Sequence, residues 1–348
     1  MSRFRDHVQI AGKFAAAAAE CDAPDVVIAA LPAIELCKAC VDYGLARGVP
    51  VLLDMRDMWP DIFLDAVPRP VRPFARLLLS PLYRQAQRAC AHATAIIGIT
   101  EEFVDWGLRR GGRQRARLDK AFPIAYEVIA PPSEKLVAAE KFWDDRGIFK
   151  GQPGLTLCFF GSIGVQLDLK HVVDAARILN RRECNVRFVV CGQGERLEHY
   201  RRRARGLPNI FFPGWVDAAQ IWTLMQRSSA GLDPLPDRYD FLATINNKAV
   251  EYLSAGLPVI SSPLSGVLSD LLRKECCGLS YRAGSADELA GILEYLAADP
   301  AALPKMSVRA RAIFDRDFWA NAVHTRMAEH LAEVTAITSA PATVGQFS

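Results

Sequence analysis

A chain of 348 residues is long enough for two domains with ample core. Hydrophobic residues at 51% and charged residues at 23% exclude a disordered or fibrous protein, and a net charge of +3 gives no reason to expect nucleic acid. No apolar run reaches bilayer-spanning length, and Met1–Gln9 is too polar to read as a signal peptide. Nine cysteines, mostly inside apolar runs such as those of Cys158 and Cys191, predict reduced, buried thiols in a cytoplasmic protein. Cys37 and Cys40 form a lone C-x-x-C on an amphipathic helix pattern with no second pair, so no metal is expected there.

In chain order, an Ala-rich helix over Phe4–Glu20 precedes a strand, DVVIAAL (Asp25–Leu31). A helix through Ile34–Arg47 and a second strand, VPVLLDM (Val49–Met55), follow, and that strand runs into RDMWPD (Arg56–Asp61). Residues 66–88 are basic, apolar and broken by prolines. AIIGIT (Ala95–Thr100) is the next strand, with Thr100 placed to cap a helix that opens on Glu101 and Glu102. Polar, Pro/Gly-rich residues 130–154 read as a connection between domains. A second block opens with LTLCFFG (Leu155–Gly161) and continues through VRFVVCG, IFFPGW, AGLDPL, PVISS and GLSY, with helices between them. Strands alternating with helices of this length predict parallel βαβ units. The expected division is residues 1–148, residues 149–312, a C-terminal helix over 313–334 packing back toward the first domain, and a disordered tail over 335–348.

The residues Thr244–Ser262, TINNKAVEYLSAGLPVISS, carry the clearest chemistry. Asn246 or Asn247 can cap a short helix, and Gly256 with Pro258 ends it. Lys248 in the first turn sits at the positive end of the helix dipole, which is favourable only if an anion also sits there. Glu251 lies on the same face, three residues on. A cation for phosphates beside a carboxylate for ribose hydroxyls suits a nucleotide, and the pair also fits an exposed Lys–Glu contact. GSIG (Gly161–Gly164) would let backbone amides close on an anion; it is also readable as a plain strand–turn glycine. CGQGERL has Gly192 and Gly194 but Leu197 where a dinucleotide fingerprint needs its third Gly, which argues against a dehydrogenase.

NKAVEYLSAGLPVIS resembles the donor-site signature of family-4 retaining glycosyltransferases, in a branch of bacterial enzymes that build surface polysaccharides. The resemblance runs from about Pro24 to Val334 and implies a GT-B fold: two Rossmann-like α/β domains of parallel sheet facing across a cleft, the first expected to be incomplete. It implies a donor site of Gly161, Ser162, Gly164, Gly192, Gly194, Trp215, Val216, Pro234, Asn247, Lys248 and Glu251. Lys248 and Asp57 are the catalytic candidates, with Arg56, Asp57 and Trp59 on the acceptor side. Asp57 could orient an acceptor hydroxyl; an Arg56–Asp57 structural pair with Trp59 in the core is the other reading. The nucleotide-sugar is a substrate, and neither cofactor nor metal is expected. The implied reaction moves a sugar to a glycan or polyprenyl-linked acceptor.

Three departures from the family pattern stand out. Of its paired glutamates only Glu251 is present, with Ala243 at the other position. The lysine usual after the glycine loop is missing, Lys170 lying a few residues late. One or two βα units and a Gly-rich loop, expected before PDVVIAALP, are not in the sequence. A catalytically inactive or fragmentary relative, kept as a nucleotide-binding or partner subunit, is therefore the alternative. Residues 66–120 hold eleven Arg or Lys against four acids, interleaved early with Phe74, Leu77, Leu78, Leu79, Leu82 and Tyr83. Basic charge around an apolar helix suits an anionic membrane surface, here the cytoplasmic face; an ordinary solvated helix is the other reading.

Overall fold

The computed structural model describes residues 2–65, 67–299 and 301–339. Contacts divide the chain into two units, Met1–Pro123 with Val323–Ser348, and Ile124–Ala322. Both are built on parallel sheets, so the α/β expectation holds.

In unit 1, α1 (Ser2–Glu20) leads to β1 (Val27–Ala30), α2 (Ile34–Arg47) and β2 (Val51–Met55). Then come α3 (Asp61–Asp65), α4 (Arg72–Leu78), α5 (Ser80–His92), β3 (Ala95–Gly98), α6 (Glu101–Gly111) and β4 (Lys120–Ala121). The strands pair in the order β1-β2-β3-β4. β2 and β3 are buried along their whole length, as an apolar run between two covering layers must be. Thr100 caps α6 by accepting the Phe103 N–H. Asp119 is buried and accepts from the Ile96 and Ala116 amides and the Arg113 guanidinium, which fastens the approach to β4 against β3.

Unit 2 runs through α7 (Ser133–Asp144), β5 (Leu155–Phe160), α8 (Lys170–Arg181), β6 (Val186–Cys191), α9 (Leu197–Arg203), β7 (Ile210–Gly214) and α10 (Ala218–Met225). It continues with β8 (Ala230–Pro234), α11 (Tyr239–Leu242), α12 (Asn247–Ser254), β9 (Val259–Ser262), α13 (Val267–Glu275) and β10 (Gly278–Ser280). Two helices, α14 (Ala286–Ala298) and α15 (Ala302–Ile313), close it. The six strands pair in the order β10-β9-β8-β5-β6-β7. The order therefore reverses direction between β8 and β5, and the C-terminal ends of strands at such a reversal are where open α/β sheets hold ligands.

The structure departs from the sequence-based expectation in three places. Residues 130–154 are not an open connection, because α7 lies within them and buries Ala139 and Trp143. Trp143 donates its indole N–H to the Gln220 carbonyl at 2.9 Å, so the contact boundary falls after Pro123 rather than after residue 148. The C-terminal helix expected over 313–334 starts later, because α15 runs to Ile313 and a break follows. Phe314–Phe318 forms a wide turn with both phenylalanines buried, Trp319 is extended and bridges to Tyr126, and α16 (Ala320–Ser339) starts afresh. From Val323 onward α16 belongs to unit 1, where Val334 packs with Leu52, Ala95 and Ile97. The helix continues through Ser339, beyond the point where the tail was expected to begin; the rest of that tail lies outside the described residues.

Candidate functional site

At the strand reversal of unit 2 a cavity of about 440 Å³ opens, lined among others by Gly161, Ser162, Gly192, Trp215, Lys248 and Glu251. The glycines make it possible by stacking two loops. A Cβ on Gly192 would stand 1.8 Å from the Gly161 carbonyl oxygen, and one on Gly194 would stand 2.3 Å from that of Ile163. Both have positive φ, 143° and 155°, so a side chain there would be strained as well as crowded. Gly164 is different, since a Cβ would meet nothing closer than Ser162 Oγ at 3.6 Å. Two of the loop's amides are already engaged, Gly161 N–H to Cys191 O and Ile163 N–H to Gln193 O. Those of Ser162 and Gly164 meet no acceptor among the described residues.

Helix α12 supplies the charge. Its cap is Asn246, not Asn247: the Asn246 side chain accepts the Ala249 N–H at 3.1 Å. That leaves the first-turn amides of Asn247 and Lys248 without an intrahelical acceptor. Val250, Tyr252 and Leu253 anchor the helix in the core, and Tyr252 bonds the carbonyls of Cys158 and Leu232 at 3.2 Å. This fixes α12 across β5 and β8. Lys248, mostly buried, has its Nζ 5.8 Å from the Phe159 ring centroid. Burial pushes the Glu251 carboxyl above its ordinary value, with Lys248 pulling it partly back. Among the described residues its carboxylate takes no hydrogen bond.

One residue of the site went unnoticed in the sequence. Asp233, at the end of β8, is fully buried. Its Oδ2 accepts from Asn246 Nδ2 at 2.6 Å, while its Oδ1 lies 3.7 Å from Lys248 Nζ and has no hydrogen-bond partner among the described residues. Burial raises its pKa and Lys248 opposes the rise. The available signal was an acid inside an otherwise apolar strand, AGLDPL.

Of the other expected donor residues, Val216 lines the cavity, and Trp215 stands at it 64% exposed. Gly194 and Gly164 lie under or beside the loop, Pro234 ends β8, and Asn247 is exposed at the start of α12. Lys170 opens α8 on the surface and does not line the cavity. Ala243 is buried at the end of α11.

The acceptor-side candidates are all in unit 1. Arg56 donates to Asp54 at 2.6 Å, and Asp57 accepts the Met58 N–H at 2.8 Å. Trp59 is buried in a cluster with Ile34 and Ala86 and meets Phe63 edge-on at 4.6 Å. Trp59 thus packs in the core, and the carboxylate that Arg56 pairs with is that of Asp54.

Residues 154–299, inside unit 2, match the family described as Glycosyl transferases group 1. A 130-residue stretch is 28% identical to "Putative teichuronic acid biosynthesis glycosyltransferase TuaH" of Bacillus subtilis (strain 168). The match takes in 37% of this chain and 32% of that protein, so the chain spans about a third of the length of the curated relative it matches. Over most of its length the chain is similar to Anabaena Alr3699/HepE in complex with UDP, with a TM-score of 0.69 at 16% identity, covering 93% of this chain and 82% of that one. Sucrose-phosphate synthase from Thermosynechococcus elongatus gives 0.70 at 15% identity, covering 96% and 79%. Identities this low speak for fold, and that fold is GT-B: two α/β units, each on a parallel sheet.

Proposed function

We propose that this chain is a retaining glycosyltransferase that moves a sugar from a nucleotide-diphosphate donor to a glycan or polyprenyl-linked acceptor in surface-polysaccharide synthesis. The observation that carries the reading is the convergence, in one cavity, of Lys248, the glycine loop and Glu251. The donor diphosphate would sit on Lys248, the Ser162 and Gly164 amides and the open end of α12, where an anion is favoured. The ribose hydroxyls would bond Glu251, and the base would lie against Trp215 and Val216. As the glycosidic bond to the diphosphate breaks, charge builds on the leaving phosphate, and donors already in place stabilise it without reorganisation. Lys248 and the amides supply that field with no cofactor or metal. Asp57 would orient the acceptor hydroxyl. The UDP complex of Alr3699/HepE and the name of the Bacillus relative support a nucleotide-sugar donor and a cell-surface product. The acceptor would be met on the cytoplasmic face of the membrane, with the protein held there peripherally.

Calorimetric titration with UDP-, GDP- and ADP-sugars tests this reading. One of them should bind, and Lys248→Ala should weaken it; a folded protein that binds none would end it. Ala243, in place of a family carboxylate, favours a second reading in which the nucleotide binds but no sugar moves. Product formation with a bound donor separates the two.

A further inference from the structure

Five of the eleven cations of residues 66–120 pair with carboxylates away from the cavity considered next. Arg88 pairs with Asp42, Arg113 with Asp119, and Arg115 with Glu101 and Asp105. Arg117 and Lys120 share Glu333. Four other arginines, Arg76, Arg84, Arg109 and Arg110, converge on a separate cavity of about 390 Å³ formed by α4, α5 and the end of α6. Ser80, Tyr83 and Gln87 add neutral polar groups to its wall, and no carboxylate lines it among the described residues.

The cavity has a built floor. Arg110 donates to Asp61 at 2.5 Å and lies 4.7 Å from the Tyr83 ring centroid and 5.2 Å from that of Trp106. The Tyr83 hydroxyl and the Trp106 indole N–H donate to the same carboxylate, at 2.8 and 2.7 Å. Arg76 covers the Tyr83 ring at 5.4 Å. Arg110 Nε is buried and has no hydrogen-bond partner among the described residues. Asp61 therefore neutralises about one guanidinium and holds the floor still, while Arg76 and Arg84 meet no carboxylate among the described residues and keep the cavity positive. Planar guanidinium forks match the oxygens of a phosphate. On α4, the short helix that carries Arg76, Phe74, Leu77 and Leu78 are 62%, 68% and 67% exposed.

We propose that this arginine cavity binds a phosphoryl group, that of an anionic lipid headgroup or of a soluble phosphoester. The inference rests on the membrane reading above for why unit 1 would meet such a group, and on the cavity alone for where it binds. Three variants of the full chain test it beside the parent: Arg76→Gln with Arg84→Gln, Phe74→Ser with Leu77→Ser, and Arg115→Gln with Arg117→Gln. The last removes the same charge outside the cavity.

The probes are vesicles of phosphatidylcholine and phosphatidylglycerol in equal parts, by co-sedimentation, and glycerol phosphate, by calorimetry. The parent should bind at least one, and the cavity variant should bind it about tenfold or more weakly, as loss of charge-assisted hydrogen bonds requires. The charge-matched control should stay near the parent. A lipid source shows as vesicle binding that the α4 variant also loses; a soluble source shows as glycerol phosphate binding that it keeps. Failure of the parent to bind either probe, or an equal loss in the control, overturns the proposal. A nucleotide titration on the same proteins reports on the donor pocket separately, so loss of one reading leaves the other standing.

Discussion

In unit 2 the strands β5, β6, β8 and β9 are buried along almost their whole length, and one continuous apolar core runs from Trp143 to Phe318. In unit 1 only β2 and β3 are so covered; β1 leaves Ile28 at its edge 42% exposed, and β4 is two half-buried residues. Polar anchors help to hold it, through Asp119 beneath the approach to β4, Asp61 under the arginines and Glu333 on α16. The contrast suits the function proposed above. A donor site assembled from four strand ends and a helix needs a platform that does not give, since a lining residue displaced by an ångström loses its ligand geometry. A surface that meets a lipid or a large acceptor can instead be built from exposed helices.

The sharpest way to break this comparison is Trp143→Ala. The side chain is fully buried and its indole N–H is satisfied, so truncation should cost about 3–5 kcal/mol. Differential scanning calorimetry should show the loss in the transition of unit 2. An unchanged melting profile would mean that α7 is not part of that unit's core.

Gly192→Ala comes next. A Cβ 1.8 Å from the Gly161 oxygen forces the two loops apart, and we expect about 3 kcal/mol of destabilisation together with loss of nucleotide binding. Gly164→Ala, with only ordinary contacts nearby, should leave the fold intact. If both variants bind nucleotide equally, the loop stacking is irrelevant to the site.

Lys248→Ala should weaken a nucleoside diphosphate by about 1.5–3 kcal/mol, the range for hydrogen bonds to a charged group, without unfolding the chain. Calorimetry with UDP and with uridine separates the contribution, because uridine lacks the diphosphate and should bind both proteins alike.

The smallest effect is a pH dependence. Burial raises the Glu251 carboxyl, and that of Asp233, in the folded state. Between the ordinary and the raised value the folded protein holds more protons than the unfolded chain. The associated stability is therefore complete at low pH and falls as pH rises through the raised pKa. Binding runs the other way: Glu251 accepts ribose hydroxyls best when ionised, so affinity for a ribonucleotide should grow through the same window. Glu251→Gln should flatten that profile for the ribonucleotide and change little for its 2′-deoxy analogue. A profile that survives the substitution assigns the titration to Asp233.

Much of unit 2 was legible from local pattern. β5, β6 and β7 are short apolar runs that end at glycine, and α12 announced itself through its cap residues and its Lys–Glu spacing. What escaped depends on contacts far apart in the chain. Asp233 matters because the end of β8 meets the cap of α12, a meeting no window of sequence displays. The connector hid a helix because its ends are rich in Pro and Gly, although Leu136, Ala139 and Trp143 recur at helical spacing within it. The break at Phe314–Phe318 has no Pro or Gly to mark it, and only the bridge from Tyr126 to Trp319 explains it. In unit 1 the charge count was plain, yet which cations are engaged and which face the cavity is decided by Glu333, Asp119 and Asp61.

The return of α16 to unit 1 has a consequence for biosynthesis. Leu52, Ala95 and Ile97 receive Val334 as a packing partner, and that residue leaves the ribosome only after all of unit 2 has been made. At about 5–20 residues per second, the wait is roughly ten to forty seconds. During that interval the face of β2 and β3 destined for α16 is bare, while unit 2, contiguous from Ile124 to Ala322, has its whole sequence in hand before unit 1 does. The nascent chain should accordingly show a donor domain resistant to protease before the N-terminal sheet becomes so, and a chain released short of Val334 should expose that sheet to chaperones.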